Sequence, residues 1–179
     1  MKAQFWSFDV IFAMKIFSSA LLIITFVWIS VSNQFSLAYG LGLQTMQTQL
    51  QSLQNRILTS GTPANWNANV DVGNTLTWNN IAIGLGTGAG STLSLNKVLT
   101  LMSMTGYSVA NYQATKPLLG IGYDYYIVIN GTNTTMAMGL SPYSRNPYAI
   151  QVARQSAVLN GMPVRMQIIV WTNKSFGVS

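Results

Sequence analysis

Residues 10–31 read VIFAMKIFSSALLIITFVWISV. As an α-helix this run measures roughly 33 Å, against about 30 Å for the hydrocarbon core of a bilayer. A cleaved secretory signal has a shorter apolar centre and a small-residue cleavage site. Here the chain passes directly into Ser32-Asn-Gln-Phe-Ser-Leu37 without an Ala-x-Ala pattern, so the run is expected to be retained. Lys2 precedes it and no charge follows until Arg56. The distribution of positive charge therefore predicts a cytoplasmic N-terminus and a C-terminal part outside the cell.

Working outward from the run, the helical period does not stop at Val31. Leu43, Met46, Leu50, Leu53 and Ile57 recur at spacings of three and four, with Gln44, Gln47, Gln49, Gln51, Gln54 and Asn55 on the other faces. One helix from about Phe5 to about Leu58, roughly 80 Å long, is the economical prediction, with Gly40 and Gly42 as the places to bend or melt. The Leu/Met stripe has two compatible explanations: contact with the protein's own globular part, and packing against helices of neighbouring copies. Lys15 lies inside the apolar run, where an isolated ammonium is costly. It either snorkels to the cytoplasmic headgroups or meets Asp9 of an axially shifted neighbouring helix, since Asp9 and Lys15 of one helix do not face each other.

Composition narrows the chemistry. Charged residues make up 7% of the 179, where a soluble globular chain carries roughly 25%. There is no His and no Cys, and the acids are Asp9, Asp71 and Asp124. Ser-His-Asp and Cys-His triads and zinc sites of the usual ligand types are thereby excluded, and a paired-carboxylate mechanism would need two of three scattered acids to meet. No enzymatic activity, cofactor or metal is expected. Without disulfides, an extracellular part must hold by packing alone. The nine basic residues are scattered singly and form no basic stripe, which predicts a solvated surface and no nucleic-acid contact.

At Thr59-Ser-Gly-Thr-Pro63 the helical period ends in turn residues, and the sequence becomes rich in Asn, Thr, Ser and Gly. This marks a domain boundary between a helix over 4–58 and a β-rich extracellular domain over 59–179. A short helix is predicted near Asn96–Met104 with Ser94 as cap. Tyr123–Asn130 reads as a strand, and Ile150–Leu159 and Val164–Trp171 as a hairpin through Asn160-Gly161 in a loop extended by Met162 and Pro163. The fold class expected is α+β: a long N-terminal hydrophobic helix followed by a small, antiparallel, β-rich and sandwich-like domain. The alternate glycines of Ile83-Gly-Leu-Gly-Thr-Gly-Ala-Gly90 lack the strand-then-helix setting of a dinucleotide site and the Lys-Ser/Thr of a P-loop. Asn130, Asn133 and Asn173 open N-glycosylation sequons, and at least one is expected to carry a glycan if the domain is extracellular.

The N-terminal sequence Lys2-Ala3-Gln4-Phe-Trp-Ser7-Phe-Asp9, followed at once by the apolar helix, resembles the class III signal segment of archaeal type IV pilins and pilin-like proteins. Pro63-Ala-Asn-Trp66, Ile83-Gly-Leu85, Leu118-Leu-Gly-Ile121 running into Tyr123-Asp-Tyr-Tyr126, and the hairpin ending in Val170-Trp171 extend the resemblance over most of the chain. It implies a leader of residues 1–3, removed by a prepilin peptidase between Ala3 and Gln4, with Ser7 and Asp9 matching the family's serine and acid. It also implies that the acid meets the new N-terminal amine of a neighbouring subunit. The expected function is then a structural subunit of a pilus-like, adhesive surface filament. Such a subunit polymerises with copies of itself through the N-terminal helix, is handled by the pilus assembly machinery and resides in the cytoplasmic membrane before assembly. The alternative is a single-span anchored minor pilin or adhesin with a binding ectodomain.

Overall fold

The computed structural model describes residues 3–176 apart from 89 and 133, and for residues 3–7 the backbone alone. The expected leader residues Met1 and Lys2 and the sequon asparagine Asn133 lie outside the described residues, as do the side chains of Ala3, Gln4 and Ser7. Chain contacts divide the protein into two units, one of residues 1–42 with 176–179 and one of residues 43–175.

Helix α1 runs unbroken over Ala3–Leu58. The helix is continuous through Gly40 and Gly42, so neither melts it, their neighbours Leu41 and Leu43 being good helix formers. Gly42 instead leaves room for a ring: a Cβ there would collide with Phe176, which also stands edge-on to Tyr39 at 5.7 Å between centroids. In the second unit, the stripe foreseen on α1 is buried. Met46, Leu53 and Ile57 are wholly enclosed and Leu50 nearly so, which makes contact with the protein's own domain the role of this part of the stripe.

The end of α1 explains two of the alternate glycines, Gly84 and Gly86. The N–H groups of Leu85 and Gly86 donate to the Ile57 carbonyl at 2.8 and 3.1 Å, satisfying an acceptor that the last helical turn leaves orphaned. Side chains cannot fit at this approach: a Cβ on Gly84 would meet the Thr59 carbonyl and one on Gly86 the Leu58 carbonyl. Trp66 seals the junction, fully buried, with its indole N–H donating to the Gly84 carbonyl at 2.8 Å.

Two helices follow the short strand β1 (Thr92–Leu93). Helix α2 (Leu95–Tyr107) starts at Ser94, as expected, although that side chain makes no capping hydrogen bond. Helix α3 (Val109–Leu119) was not foreseen. Ser108 caps it by accepting from the Asn111 N–H, one residue after α2 ends, and Gly120 in the left-handed region closes it.

The remaining strands are β2 (Asp124–Asn130), β3 (Thr135–Gly139), β4 (Ala149–Leu159) and β5 (Met162–Thr172). They form one five-stranded sheet ordered β1-β4-β5-β2-β3, antiparallel except that β1 runs parallel to β4. The α+β expectation holds, with one sheet and, among the described residues, no second one packed on it: α2 lies against β3, Tyr112 of α3 packs on Tyr125, and Gln54 of α1 reaches Gln155. Tyr125, Ile127 and Ile129 stand opposite Val170, Ile168 and Met166 on the apolar face of the sheet, all buried. The β4–β5 hairpin is tighter than the sequence suggested. Asn160 and Gly161 alone make the turn, both at positive φ, and Met162 and Pro163 belong to β5. Pro163 is tolerated because the β2 ladder ends at Asn130 opposite Arg165, so no partner waits for its missing N–H.

Candidate assembly surface

Helix α1 changes character along its length. Between Phe8 and Leu41, every large apolar side chain described as exposed has at least 41% of its surface free, and the exposure runs all round the helix: Ile23, Phe26 and Trp28 stand at 65%, 75% and 71%. This segment is long and apolar enough to cross a membrane, and none of its most hydrophobic stretch is buried within the chain. A soluble monomer rarely exposes more than a few hundred Å² of contiguous apolar surface. The segment is therefore compatible with a membrane-spanning helix.

Asp9 and Lys15, singled out from the sequence, both lie exposed on this segment. Six helical positions put them about 120° apart around the axis and about 9 Å apart along it. They form no ion pair with each other; among the described residues the ion pair is Lys116–Asp124. Asp9 has no ion-pair partner among the described residues. Ser18 and Ser19 follow Lys15 by one turn and line with it a shallow notch bounded by Ile11, Met14 and Leu22, a place where a second helix can approach closely.

The sequon residues Asn130 and Asn173 are both exposed, at the ends of β2 and β5 respectively. Near Asn130, a cavity of about 300 Å³ opens between Leu95, Ile129, Met136, Leu159, Met162 and Val164. Its walls are mainly apolar, with Thr132, Thr134 and Asn160 at the rim.

Two polar clusters were not legible as such. Lys97, expected to be solvated, is 7% exposed and donates to the Ser60 and Gly86 carbonyls at 2.7 and 3.0 Å. Burial without an acidic partner lowers its pKa. The signal lay in its position: Lys97, Leu101 and Met104 share one face of α2, so the ammonium had to point inward. The second cluster ties α3 to β2. Asp124 accepts from the Tyr112 hydroxyl at 3.0 Å and from Lys116 at 3.1 Å, Tyr112 accepts from the Tyr125 N–H, and the Thr115 and Tyr125 hydroxyls meet at 2.6 Å. Burial raises the pKa of both tyrosines. Every group in this cluster is held by another, which makes it a latch between elements. Among the described residues, no group of three or more acids, histidines or cysteines is gathered as for a metal.

No family model matches the chain, and neither a curated protein nor a solved structure matches it.

Proposed function

We propose that the protein is a structural subunit of a pilus-like surface filament, inserted in the membrane through residues 8–41 of α1 before assembly and packed against copies of itself afterwards. One observation carries this: the same helix is buried on one stripe from Met46 to Ile57 and exposed all round from Phe8 to Leu37. A helix that lies in lipid as a monomer leaves the bilayer only if other copies cover the same apolar surface, and the hydrophobic effect then favours a bundle of helices in water. Low charge fits a subunit whose flanks touch neighbours. In a bundle Asp9 must be compensated, by the amine of Gln4 in a neighbour if the leader is cut or by a neighbour's Lys15 if it is kept.

The experiment is shearing of the cell surface, microscopy, and intact-mass measurement of the sheared material. Filaments containing this chain are expected, with a mass that reports both cleavage before Gln4 and glycans on the sequons. Asp9→Ala should abolish or sharply reduce filaments while membrane insertion persists, since losing a charge eases insertion. A chain found solely as a membrane monomer overturns the proposal. The cavity beside Asn130 favours a second reading, an anchored adhesin or minor pilin whose ectodomain binds an apolar group. Low copy number and retention in the membrane fraction distinguish it.

A further inference from the structure

We propose that the exposed face of the sheet carries a binding site for an acidic saccharide, built on Arg165 and Arg154. The site lies within the domain alone, so it does not rest on the filament reading.

The strand register lays this face out in rows. Burial alternates along β4, with Ile150, Val152, Arg154 and Ser156 exposed between less exposed neighbours. These positions point away from the face that carries Ile127 and Ile168. Ser156 pairs with Arg165, Arg165 with Asn130 and Asn130 with Thr135, so four exposed polar side chains form one row across β4, β5, β2 and β3. The next row is Arg154, Gln167, Val128 and Ala137. Arg154 and Arg165 are therefore diagonal neighbours on adjacent strands, with about 7–8 Å between their Cα atoms.

The fold does not use these two guanidinium groups. Other cations are taken up within the chain: Lys97 by two carbonyls, Arg56 by the Leu118 carbonyl and Lys116 by Asp124. Among the described residues, the side chains of Arg154 and Arg165 have no ion pair and no hydrogen bond, and no acid stands in either row. Two like charges this close repel. An oxyanion between them relieves the repulsion and accepts the paired N–H groups of a guanidinium fork.

The surroundings favour an anion carried on a sugar. Arg165 lines a shallow cleft of about 420 Å³ together with Asn130, Thr132, Ser156 and Pro163. Hydroxyl and carboxamide groups both donate and accept, as sugar hydroxyls do, and Gln167 adds another beside Arg154. Nucleic acid fits less well, because neither row holds an aromatic ring on which a base stacks. Tyr126, one row further on, is already met edge-on by Tyr143 at 6.2 Å between centroids.

The test uses the full chain in nonionic detergent micelles, made in a host that attaches no N-glycans so that Asn130 is bare. Oligogalacturonate, which offers carboxylates, and dextran sulfate, which offers sulfates, are titrated against it, with neutral dextran, polyglutamate and single-stranded DNA alongside. At least one acidic saccharide should bind more tightly than the other three probes, and the better of the two identifies the anion. Arg165→Gln should weaken that binding about tenfold and Arg154→Gln a few-fold. Arg165→Lys keeps the charge but loses the fork, and should fall between the parent protein and Arg165→Gln. Lys174→Gln removes the same charge beyond the far end of β5 and should leave the affinity unchanged. Equal weakening by Lys174→Gln and Arg165→Gln overturns the proposal, because net charge alone then accounts for binding. Tighter binding of polyglutamate or DNA, equal binding of neutral dextran, or no binding of either acidic saccharide overturns it as well.

Discussion

Two halves of one helix, α1, are built from the same residue types and do opposite things. Leu53 and Leu22 are both leucines in unbroken helix, yet Leu53 is wholly buried and Leu22 is 71% exposed. The difference lies in what flanks them. Around Leu53 the glutamines occupy the other faces, leaving a stripe one element can cover; around Leu22 apolar residues stand on every side, interrupted by Lys15, Ser18, Ser19 and Thr25, and no single element of the chain covers such a cylinder. A stripe specifies a partner within the fold, whereas an apolar cylinder is compatible with a membrane.

The largest expected effect follows directly. Leu53→Ala should cost the domain about 2–5 kcal/mol by leaving a cavity in a closed core, while Leu22→Ala should change its stability by less than about 0.5 kcal/mol. Thermal melts of the two variants, followed by tryptophan fluorescence, check this. A Leu22→Ala melt lowered as far as that of Leu53→Ala would show that the exposed half contributes to the domain's stability after all.

The same contrast separates what could be read from sequence and what could not. The long helix, its buried stripe and the Asn160-Gly161 hairpin are legible because each is a local pattern: a period, a run length, a turn dipeptide. Strand β3 and helix α3 were missed for a different reason. Thr135–Gly139 is short and polar at its start, and α3 begins immediately after α2, so no loop signal separates them. The role of Gly84 and Gly86 is not local at all, since it depends on the end of α1 reaching them across more than two dozen residues. Gln155 was equally invisible, because nothing in its neighbourhood reveals that half of its amide is left without a partner.

A smaller effect tests the junction between the buried half of α1 and the rest of the domain. Lys97 bonds to the loop that follows α1 and to the glycine strand that caps it. Lys97→Met keeps the stem but leaves the Ser60 and Gly86 carbonyls unpaired, and should cost about 1–3 kcal/mol in urea unfolding. Its titration carries a definite sign. Burial holds the folded pKa below the ordinary 10.5, so between those two values the unfolded chain binds more protons and stability rises with pH. Two tyrosines act in the opposite sense and prevail as the pH reaches 10. Tyr112 and Tyr125 keep their protons in the fold while the unfolded chain loses them, so stability then falls. Urea midpoints across pH 7–11.5 should rise and then fall, with the maximum below pH 10. Lys97→Met should flatten the rising limb and Tyr125→Phe should blunt the falling one; a flat profile in the parent protein would contradict both.

The smallest effect belongs to the Lys116–Asp124 ion pair. The two side chains are 15% and 24% exposed, so water reaches them and screens the attraction. Lys116→Met leaves Asp124 still accepting from the Tyr112 hydroxyl, and no buried donor loses its partner. The loss should be about 0.2–1 kcal/mol, shrinking further in 1 M salt. Asp124→Ala is a different perturbation at the same pair, because it strips the acceptor from a largely buried hydroxyl and should cost more than Lys116→Met by roughly 1 kcal/mol. The comparison asks whether the latch between α3 and β2 rests on charge or on hydrogen bonding. If both variants lose the same stability and both losses vanish in salt, the ion pair holds the latch. If Asp124→Ala stays costlier in salt, the tyrosine hydrogen bond does.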